Sequence, residues 1–179
     1  MPSISIIGAG WLGMPLAVYL SKCGHDLILS TQDLAKVEQL RAKHWKVEQY
    51  QLGARLPDTL GKNEITIINI PPGKRNLDPD EHLIKIQRLC SDLLQMGTKN
   101  LIFVSTTSVY GNASGTVTEL TECRPITNSG IAHLKIEQFV HKLMPQQVTV
   151  LRLAGLIGCL LYTSPSPRDL STSRMPSSA

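Results

Sequence analysis

Three glycines near the start of the chain have the spacing of a phosphate-binding loop. Gly8, Gly10 and Gly13 form the pattern G-x-G-x-x-G between a strand-like run and a stretch of helical periodicity. Gly8 permits a tight turn, Gly10 lets the backbone approach a pyrophosphate, and Gly13 lets the helix pack on the strand. The N–H groups at the helix start, at Trp11 and Leu12, would hold the phosphates with the helix dipole. The motif therefore predicts dinucleotide binding.

The end of the second predicted strand bears on the choice of dinucleotide. An Asp or Glu at this point would bond the ribose 2′-hydroxyl of NAD. Ser30, Thr31 and Gln32 are instead neutral, and Lys36 follows one turn into the next helix, which leaves room for a 2′-phosphate. Asp33 could still face the ribose. We expect NADP, with NAD as the alternative.

Two further strand ends carry residues that could contact ligands. Pro71 and Pro72 follow the fourth predicted strand, where they either line the cofactor groove or form a rigid turn. The fifth strand ends in four hydroxyl residues, from Ser105 to Ser108. Burying four hydroxyls is costly unless each is hydrogen-bonded. At a strand end beside a cofactor, Thr106 and its neighbours could instead face a substrate.

Strand-like and helix-like segments alternate along the chain, which predicts an α/β protein with a Rossmann doubly wound parallel sheet. Right-handed crossovers place the ligand at the carboxyl ends of the strands. The predicted strands are Ser3–Gly8, Asp26–Ser30, Trp45–Tyr50, Glu64–Ile70, Asn100–Ser105 and Gln147–Leu153, and the predicted helices are 11–23, 33–43, 80–96 and 129–143.

The motifs together resemble the extended short-chain dehydrogenase/reductases, the NAD-dependent epimerase/dehydratase family. In that family a glycine loop precedes a fifth strand that ends in a Ser/Thr cluster and Val-Tyr-Gly. The resemblance covers residues 3–158 and is carried by Gly8–Gly13, Ser105–Gly111, Val117–Glu119 followed by Pro125, and Val148–Gly158.

The resemblance implies that Thr106 takes the place of the family's catalytic Ser/Thr and bonds the reacting oxygen. The family's acid/base pair, a Tyr with a Lys four residues later, is absent. One alignment places Ser129 and His133 at these two positions, and another places Ile131 and Lys135 there. The chain thus resembles the atypical members of the family, and His133 is the candidate replacement for the acid/base.

Tyr110 and Glu119 are weaker candidates for proton donation. Tyr110 stands at the junction of the fifth strand and the next loop, from which it could reach a substrate. In the family that the chain resembles, this tyrosine serves packing and binding.

The last 21 residues differ in composition from the rest of the chain. Residues 159–179 contain six Ser, two Thr and three Pro, and they resemble a translated sequencing adapter. We therefore expect one dinucleotide-binding Rossmann domain over residues 1–158, C-terminally truncated so that the native substrate-binding region is missing.

The overall composition excludes several classes of function. The net charge is +4 and aromatic residues make up 4%, so a nucleic-acid partner is not expected. No apolar run reaches the roughly 18 residues of a membrane span. The four cysteines form no Cys-x-x-Cys pair, which indicates single thiols in a reducing, cytoplasmic setting and no metal site. The expected partner is a small-molecule substrate, and a second copy of the chain, forming a homodimer, is a further candidate.

Three functions fit these observations. The first is an NAD(P)-dependent oxidoreductase or epimerase/dehydratase that transfers hydride to or from a hydroxyl or carbonyl group, for example of a sugar nucleotide. The second is a non-catalytic, redox-sensing protein that binds NADP. The third is an enzyme similar to 6-phosphogluconate dehydrogenase, which Gly8–Gly13 and Asp33–Glu38 resemble and against which Ser105–Gly111 argues.

Overall fold

The computed structural model describes residues 1–73 and 77–155. Within them six parallel strands form one sheet in the order β3-β2-β1-β4-β5-β6. The strands are β1 (Ser3–Ile7), β2 (Asp26–Thr31), β3 (Val47–Gln49), β4 (Ile65–Ile68), β5 (Asn100–Thr106) and β6 (Val148–Leu153). The helices are α1 (Gly13–Lys22), α2 (Leu34–Ala42), α3 (Asp58–Gly61), α4 (Pro79–Met96) and α5 (Asn128–Leu143), with a 3₁₀ helix over Thr107–Tyr110.

Helices cover both faces of the sheet, so the predicted doubly wound fold is confirmed. On one face Ala17 of α1 and Val37 of α2 pack with Ile6 of β1. On the other face Ile86 of α4 and Ile136 of α5 belong to a second core. The central strands β1 and β4 are largely apolar, as expected for parallel strands between two helical layers. Their two buried hydroxyls, of Ser5 and Thr66, are hydrogen-bonded to each other at 2.8 Å.

Strands β2 and β3 are added on one side of β1, and β4, β5 and β6 are added on its other side. The strand order therefore reverses between the neighbouring strands β1 and β4. In open parallel sheets this switch point creates a crevice at the carboxyl ends of the strands. The glycine loop, which follows β1, and the segment after β4 meet there. The topology therefore brings the predicted ligand-binding residues to one edge of the sheet.

Helix ends follow local signals in the sequence. Asp78 caps α4 by accepting hydrogen bonds from the N–H groups of Asp80 and Glu81, with Pro79 in the first turn. Gly97 ends the helix in a left-handed conformation with φ of 101°. These signals explain why the observed α4 agrees closely with the helix predicted from the sequence.

A few boundaries differ from the prediction. Strand β3 covers only Val47–Gln49, because this edge strand pairs with three residues of β2. Helix α3 was not predicted, since a single turn is too short to show helical periodicity. The predicted domain end at residue 158 and the segment 159–179 lie outside the described residues. No helix in the described part of the chain is long and apolar enough to cross a membrane.

Candidate functional site

The glycine loop is sterically restricted at two of its three glycines. Gly8 has φ of +108°, and a Cβ there would lie 2.2 Å from the carbonyl oxygen of Asn69. A Cβ on Gly13 would lie 2.3 Å from the carbonyl oxygen of Gly8. A Cβ on Gly10 would meet nothing within 4 Å. The fold thus requires Gly8 and Gly13, whereas Gly10 leaves open space in front of the loop.

The N–H groups of this loop fall into two sets. Those of Gly8 and Ala9 point to β2, where they donate to Oγ of Ser30 at 3.3 Å and to its carbonyl oxygen at 2.7 Å. Those of Gly10, Trp11 and Leu12 have no hydrogen-bond partner among residues 1–73 and 77–155, and no side chain caps α1. These donors at the N-terminus of a helix suit an anionic phosphate.

The structure separates the residues that were predicted to select the cofactor. Ser30 is 1% exposed and lies behind the glycine loop, which its hydroxyl helps to hold. Oγ1 of Thr31 accepts a hydrogen bond from the N–H of Asp33. The carboxylate of Asp33 caps α2 by accepting from the N–H of Lys36 at 3.2 Å. Gln32 is exposed and lines a small cavity.

Two adjoining cavities follow the carboxyl edge of the sheet. The smaller, of about 210 Å³, is lined by Gln32, Pro71, Pro72 and His82, among others. The larger, of about 640 Å³, shares Pro71 and Pro72 with it and extends to the ends of β5 and α5. We call the larger of these two the main cavity. Pro71 and Pro72 therefore line both cavities. A third cavity, of about 760 Å³, is lined by Tyr110, Glu119 and Arg152, among others.

The main cavity brings together residues that are distant in the sequence. Its polar lining consists of Asn69, Ser105, Thr106, Ser108, Thr127, Asn128, Ser129 and His133. Both residues predicted to be catalytic, Thr106 and His133, are in this set. The residues of one alignment, Ser129 and His133, both line the main cavity. In the other alignment the lysine position is taken by Lys135, which forms an ion pair with Asp80 at the surface.

Thr106 presents a hydrogen-bond donor at the end of β5. Its Oγ1 accepts hydrogen bonds from the N–H and the Oγ of Ser108, both at 3.2 Å. Because both contacts use oxygen lone pairs, the hydroxyl hydrogen of Thr106 is left to donate to a ligand.

His133 presents an acceptor. The residue is 7% exposed, and its Nδ1 lies 2.8 Å from the carbonyl oxygen of Ser129. A carbonyl only accepts, so Nδ1 carries the hydrogen and Nε2 of the neutral ring has a lone pair. Burial lowers the pKa of His133, which favours this neutral form. The ring is tilted by 40° against Phe103, with the centroids 5.9 Å apart.

Asn69 is a site residue that sequence reasoning missed. Its Nδ2 donates to the carbonyl oxygen of Gly8 at 3.0 Å and joins the end of β4 to the glycine loop. The available signal was a carboxamide directly after the apolar strand β4.

An ion pair between a buried glutamate and a partly exposed arginine, close to the main cavity, was also missed. Arg152 of β6 donates to both carboxylate oxygens of Glu137 on α5, with its shortest contact, from Nη2, at 2.7 Å. Hydrogen bonding to Glu137 raises the pKa of Arg152 above its ordinary value. The available signals were an arginine inside an apolar strand and a glutamate one helical turn after His133.

Sequence and structure comparisons identify related proteins. Protein YeeZ of Escherichia coli strain K12 is 35% identical over 166 residues, which cover 88% of this chain and 60% of that protein. The same protein of Escherichia coli O157:H7 matches equally well. The chain thus spans 60% of the length of these curated relatives.

Solved structures with the same fold include two sugar-nucleotide epimerases. UDP-glucuronic acid 4-epimerase from Bacillus cereus, in complex with NAD, has a TM-score of 0.73 at 18% identity, covering 87% of this chain and 57% of that one. UDP-glucose-4-epimerase from Stenotrophomonas maltophila, with bound NAD, has a TM-score of 0.71 at 20% identity, covering 85% and 52%. At these identities the likeness establishes the fold alone.

A family model settles the classification. The model described as "NAD dependent epimerase/dehydratase family" matches residues 4–176. The match confirms the resemblance found in the motifs and favours it over the alternative similar to 6-phosphogluconate dehydrogenase. Because the match spans far more than half of its residues, the chain belongs to the NAD dependent epimerase/dehydratase family.

Proposed function

We propose that this protein binds a pyridine dinucleotide at the glycine loop and transfers hydride to or from a hydroxyl or carbonyl group of a small-molecule substrate in the main cavity. The observation that carries the proposal is the set of three N–H groups, at Gly10, Trp11 and Leu12, that lack partners within the described residues. The open space over Gly10 gives a diphosphate access to them.

The residues around the loop fit such a group. The N–H groups of Gly10, Trp11 and Leu12 would hold the diphosphate, since the N-terminus of a helix attracts anions. Gln32, Pro71 and Pro72 line the adjoining small cavity and would contact the adenosine half. When bound, the nicotinamide supplies the hydride chemistry, and the protein supplies orientation and electrostatics.

Thr106 and His133 have complementary roles in this proposal. The Thr106 hydroxyl would donate to the reacting oxygen of the substrate, where it stabilises developing negative charge. The Nε2 of His133 would accept the proton of a substrate hydroxyl, because burial keeps the ring neutral near pH 7. His133 would thus do the work that the tyrosine and lysine do in other members of the family.

The type of dinucleotide is a separate part of the proposal. Lys36 and the neutral residues Ser30–Gln32 support NADP, and the carboxylate of Asp33 is occupied in capping α2. The two epimerase structures with the same fold contain NAD. A preference for NADP stays a prediction from the sequence.

Fluorescence titration tests the binding proposal. Trp11 lies in the loop itself, so bound NADH or NADPH should quench its fluorescence. The variant Trp11→Phe retains only the fluorescence of Trp45 and so shows how much of the quenching belongs to Trp11. The variant Gly10→Ala should bind both dinucleotides roughly tenfold more weakly than the wild type, or more weakly still. A wild-type protein that binds neither NADH nor NADPH would overturn the proposed function.

A second candidate function is dinucleotide binding without catalysis. It is favoured by the absence of the family's tyrosine: one alignment places Ser129 at that position, and a serine hydroxyl lacks the acidity of a phenol. The test is to incubate the protein with a panel of sugar nucleotides and simpler alcohols and to measure both NADH or NADPH formation and conversion of the substrate. Substrate conversion is needed because epimerisation regenerates the oxidised dinucleotide. Tight dinucleotide binding without turnover favours this candidate, whereas turnover that is lost in Thr106→Val and His133→Asn favours the enzyme.

A further inference from the structure

The ion pair between Glu137 and Arg152 lies outside the glycine loop, and the proposed chemistry does not use it. Glu137 is 2% exposed, and a carboxylate so deeply buried is costly unless charged and polar partners surround it. Arg152 supplies three hydrogen-bond contacts to it, from Nε to both oxygens and from Nη2. The pair is therefore complete only when α5 and β6 keep their positions.

The same pair reaches the segment that carries Thr106, from both sides. Ser105, directly before Thr106, donates its hydroxyl hydrogen to Oε1 of Glu137. Tyr110, at the end of the 3₁₀ helix that follows, accepts a hydrogen bond from Nη1 of Arg152 at 2.7 Å. The Arg152 guanidinium also lies 5.0 Å from the centre of the Tyr110 ring, a cation–π distance.

The network also faces the main cavity along one side of α5. Ser129, His133 and Glu137 are spaced four residues apart, so they lie above one another on the same helix face. The first two line the cavity, and the third holds Ser105, another lining residue. Glu137 therefore connects the helix face that carries His133 to the end of strand β5.

We propose that Glu137 is a positioning residue: with Arg152 it fixes both ends of the segment from Ser105 to Tyr110, and so sets the position of the Thr106 hydroxyl relative to Ser129 and His133. The functional part of this inference rests on the proposed function, because Thr106 is there the donor to the substrate. The anchoring of the segment from Ser105 to Tyr110 by Glu137 and Arg152 does not depend on the proposed function. Two strands contact the Glu137 carboxylate, β5 through Ser105 and β6 through Arg152. The 3₁₀ helix joins the network through the hydrogen bond from Arg152 to Tyr110.

Threonine methyl NMR on the full chain tests the positioning. The Thr106 methyl resonance is assigned with Thr106→Ser and compared in the wild type, Glu137→Gln and Ser105→Ala. Glu137→Gln removes the charge but keeps the shape, and Ser105→Ala removes only the hydroxyl. The matched control is Asp80→Asn, which breaks the exposed pair that the same helix α5 makes through Lys135.

We expect the Thr106 resonance to shift or split in Glu137→Gln and Ser105→Ala, and to keep its position in Asp80→Asn. The resonance of Thr31, which lies on β2, should not move in any of them. The Kd for NADH should stay within about twofold, because the glycine loop shares no described hydrogen bond with the network. Where turnover is measured, kcat should fall while KM for the dinucleotide does not change.

An unchanged Thr106 resonance in folded Glu137→Gln and Ser105→Ala would overturn the inference. If Glu137→Gln does not fold, Ser105→Ala decides alone, since it leaves the ion pair intact. A wild-type protein that fails to bind NADH contradicts the proposed function and leaves the NMR comparison valid, so the two failures are distinguishable.

Discussion

The Nδ1–H of His133 donates to the carbonyl oxygen of Ser129, one helical turn earlier in α5, at 2.8 Å. This hydrogen bond fixes the tautomer of the ring and so leaves Nε2 as its acceptor. The carbonyl belongs to Ser129, which one of the two alignments places at the position of the family's tyrosine. The backbone of that position thus orients the side chain that would replace the missing acid/base.

Stability should fall as the pH decreases below about 6.5, the ordinary pKa of histidine. Burial lowers the pKa of His133 and of His82, and the nearby His133 lowers that of His82 further. Below pH 6.5 the unfolded chain binds protons at these histidines that the folded protein does not bind. The free energy of unfolding therefore has its full value above pH 6.5 and decreases below it. The loss approaches about 1.4 kcal/mol per pH unit for each histidine.

Urea unfolding at pH 7.5, 6 and 5 checks this slope. His133→Gln should flatten it, whereas His141→Gln removes an exposed imidazole from the same helix and serves as the control. The charged groups near the two buried rings are Lys85 and Glu81 around His82, and Glu137 near His133. An equal slope in wild type and His133→Gln would contradict the assignment to His133.

The three glycines of the loop should respond differently to alanine. Gly8→Ala and Gly13→Ala should destabilise the protein by about 2 kcal/mol or more, since the added Cβ meets backbone atoms at 2.2 and 2.3 Å. Gly10→Ala should stay within about 0.5 kcal/mol of the wild type, because its Cβ meets open space. Its dinucleotide affinity should nevertheless fall roughly tenfold or more, a loss of about 1.4 kcal/mol.

Thermal unfolding and NADH titration separate these two effects. A Gly10→Ala protein that binds NADH as tightly as the wild type would show that the ligand does not approach the backbone at this position.

Removal of the Asn69 side chain should loosen the glycine loop. Asn69→Ala deletes the hydrogen bond to the Gly8 carbonyl oxygen and should cost about 1 kcal/mol of stability, together with some dinucleotide affinity. Asn69→Asp should be worse, because a carboxylate then faces that carbonyl oxygen. The control is Asn63→Ala, which removes amide–carbonyl hydrogen bonds at α3 and should lower stability without a change in Kd. Equal Kd values for Asn69→Ala and the wild type would contradict a role in the loop.

Lys36 should determine the preference for a 2′-phosphate. Lys36→Ala should weaken NADPH binding by about tenfold, the loss expected for one hydrogen bond between charged groups, and leave NADH binding unchanged. Isothermal titration with both dinucleotides measures the two affinities, and Lys22→Ala at the end of α1 is the control. If the wild type binds NADH more tightly than NADPH, the sequence-based prediction of NADP is wrong.

The elements of the fold were predictable because their signals are local. Alternation of apolar runs with helical periodicity, the cap of α4 at Asp78 and its stop at Gly97 are all encoded within a few residues. The one-turn helix α3 and the shortened strand β3 were not predicted, since the first lacks a periodic pattern and the second depends on its pairing with β2.

The sequence by itself determined the α/β architecture and the position of the glycine loop, because periodicity and glycine spacing act through backbone sterics and nearby residues. It offered Thr106 and His133 as candidates only through the family resemblance. Tertiary structure decided which polar groups are paired. Asn69 meets Gly8 across 61 residues, and Glu137 meets Ser105 across 32. Such contacts arise only when the sheet order is set, since chain separation carries no information about which strand ends become neighbours.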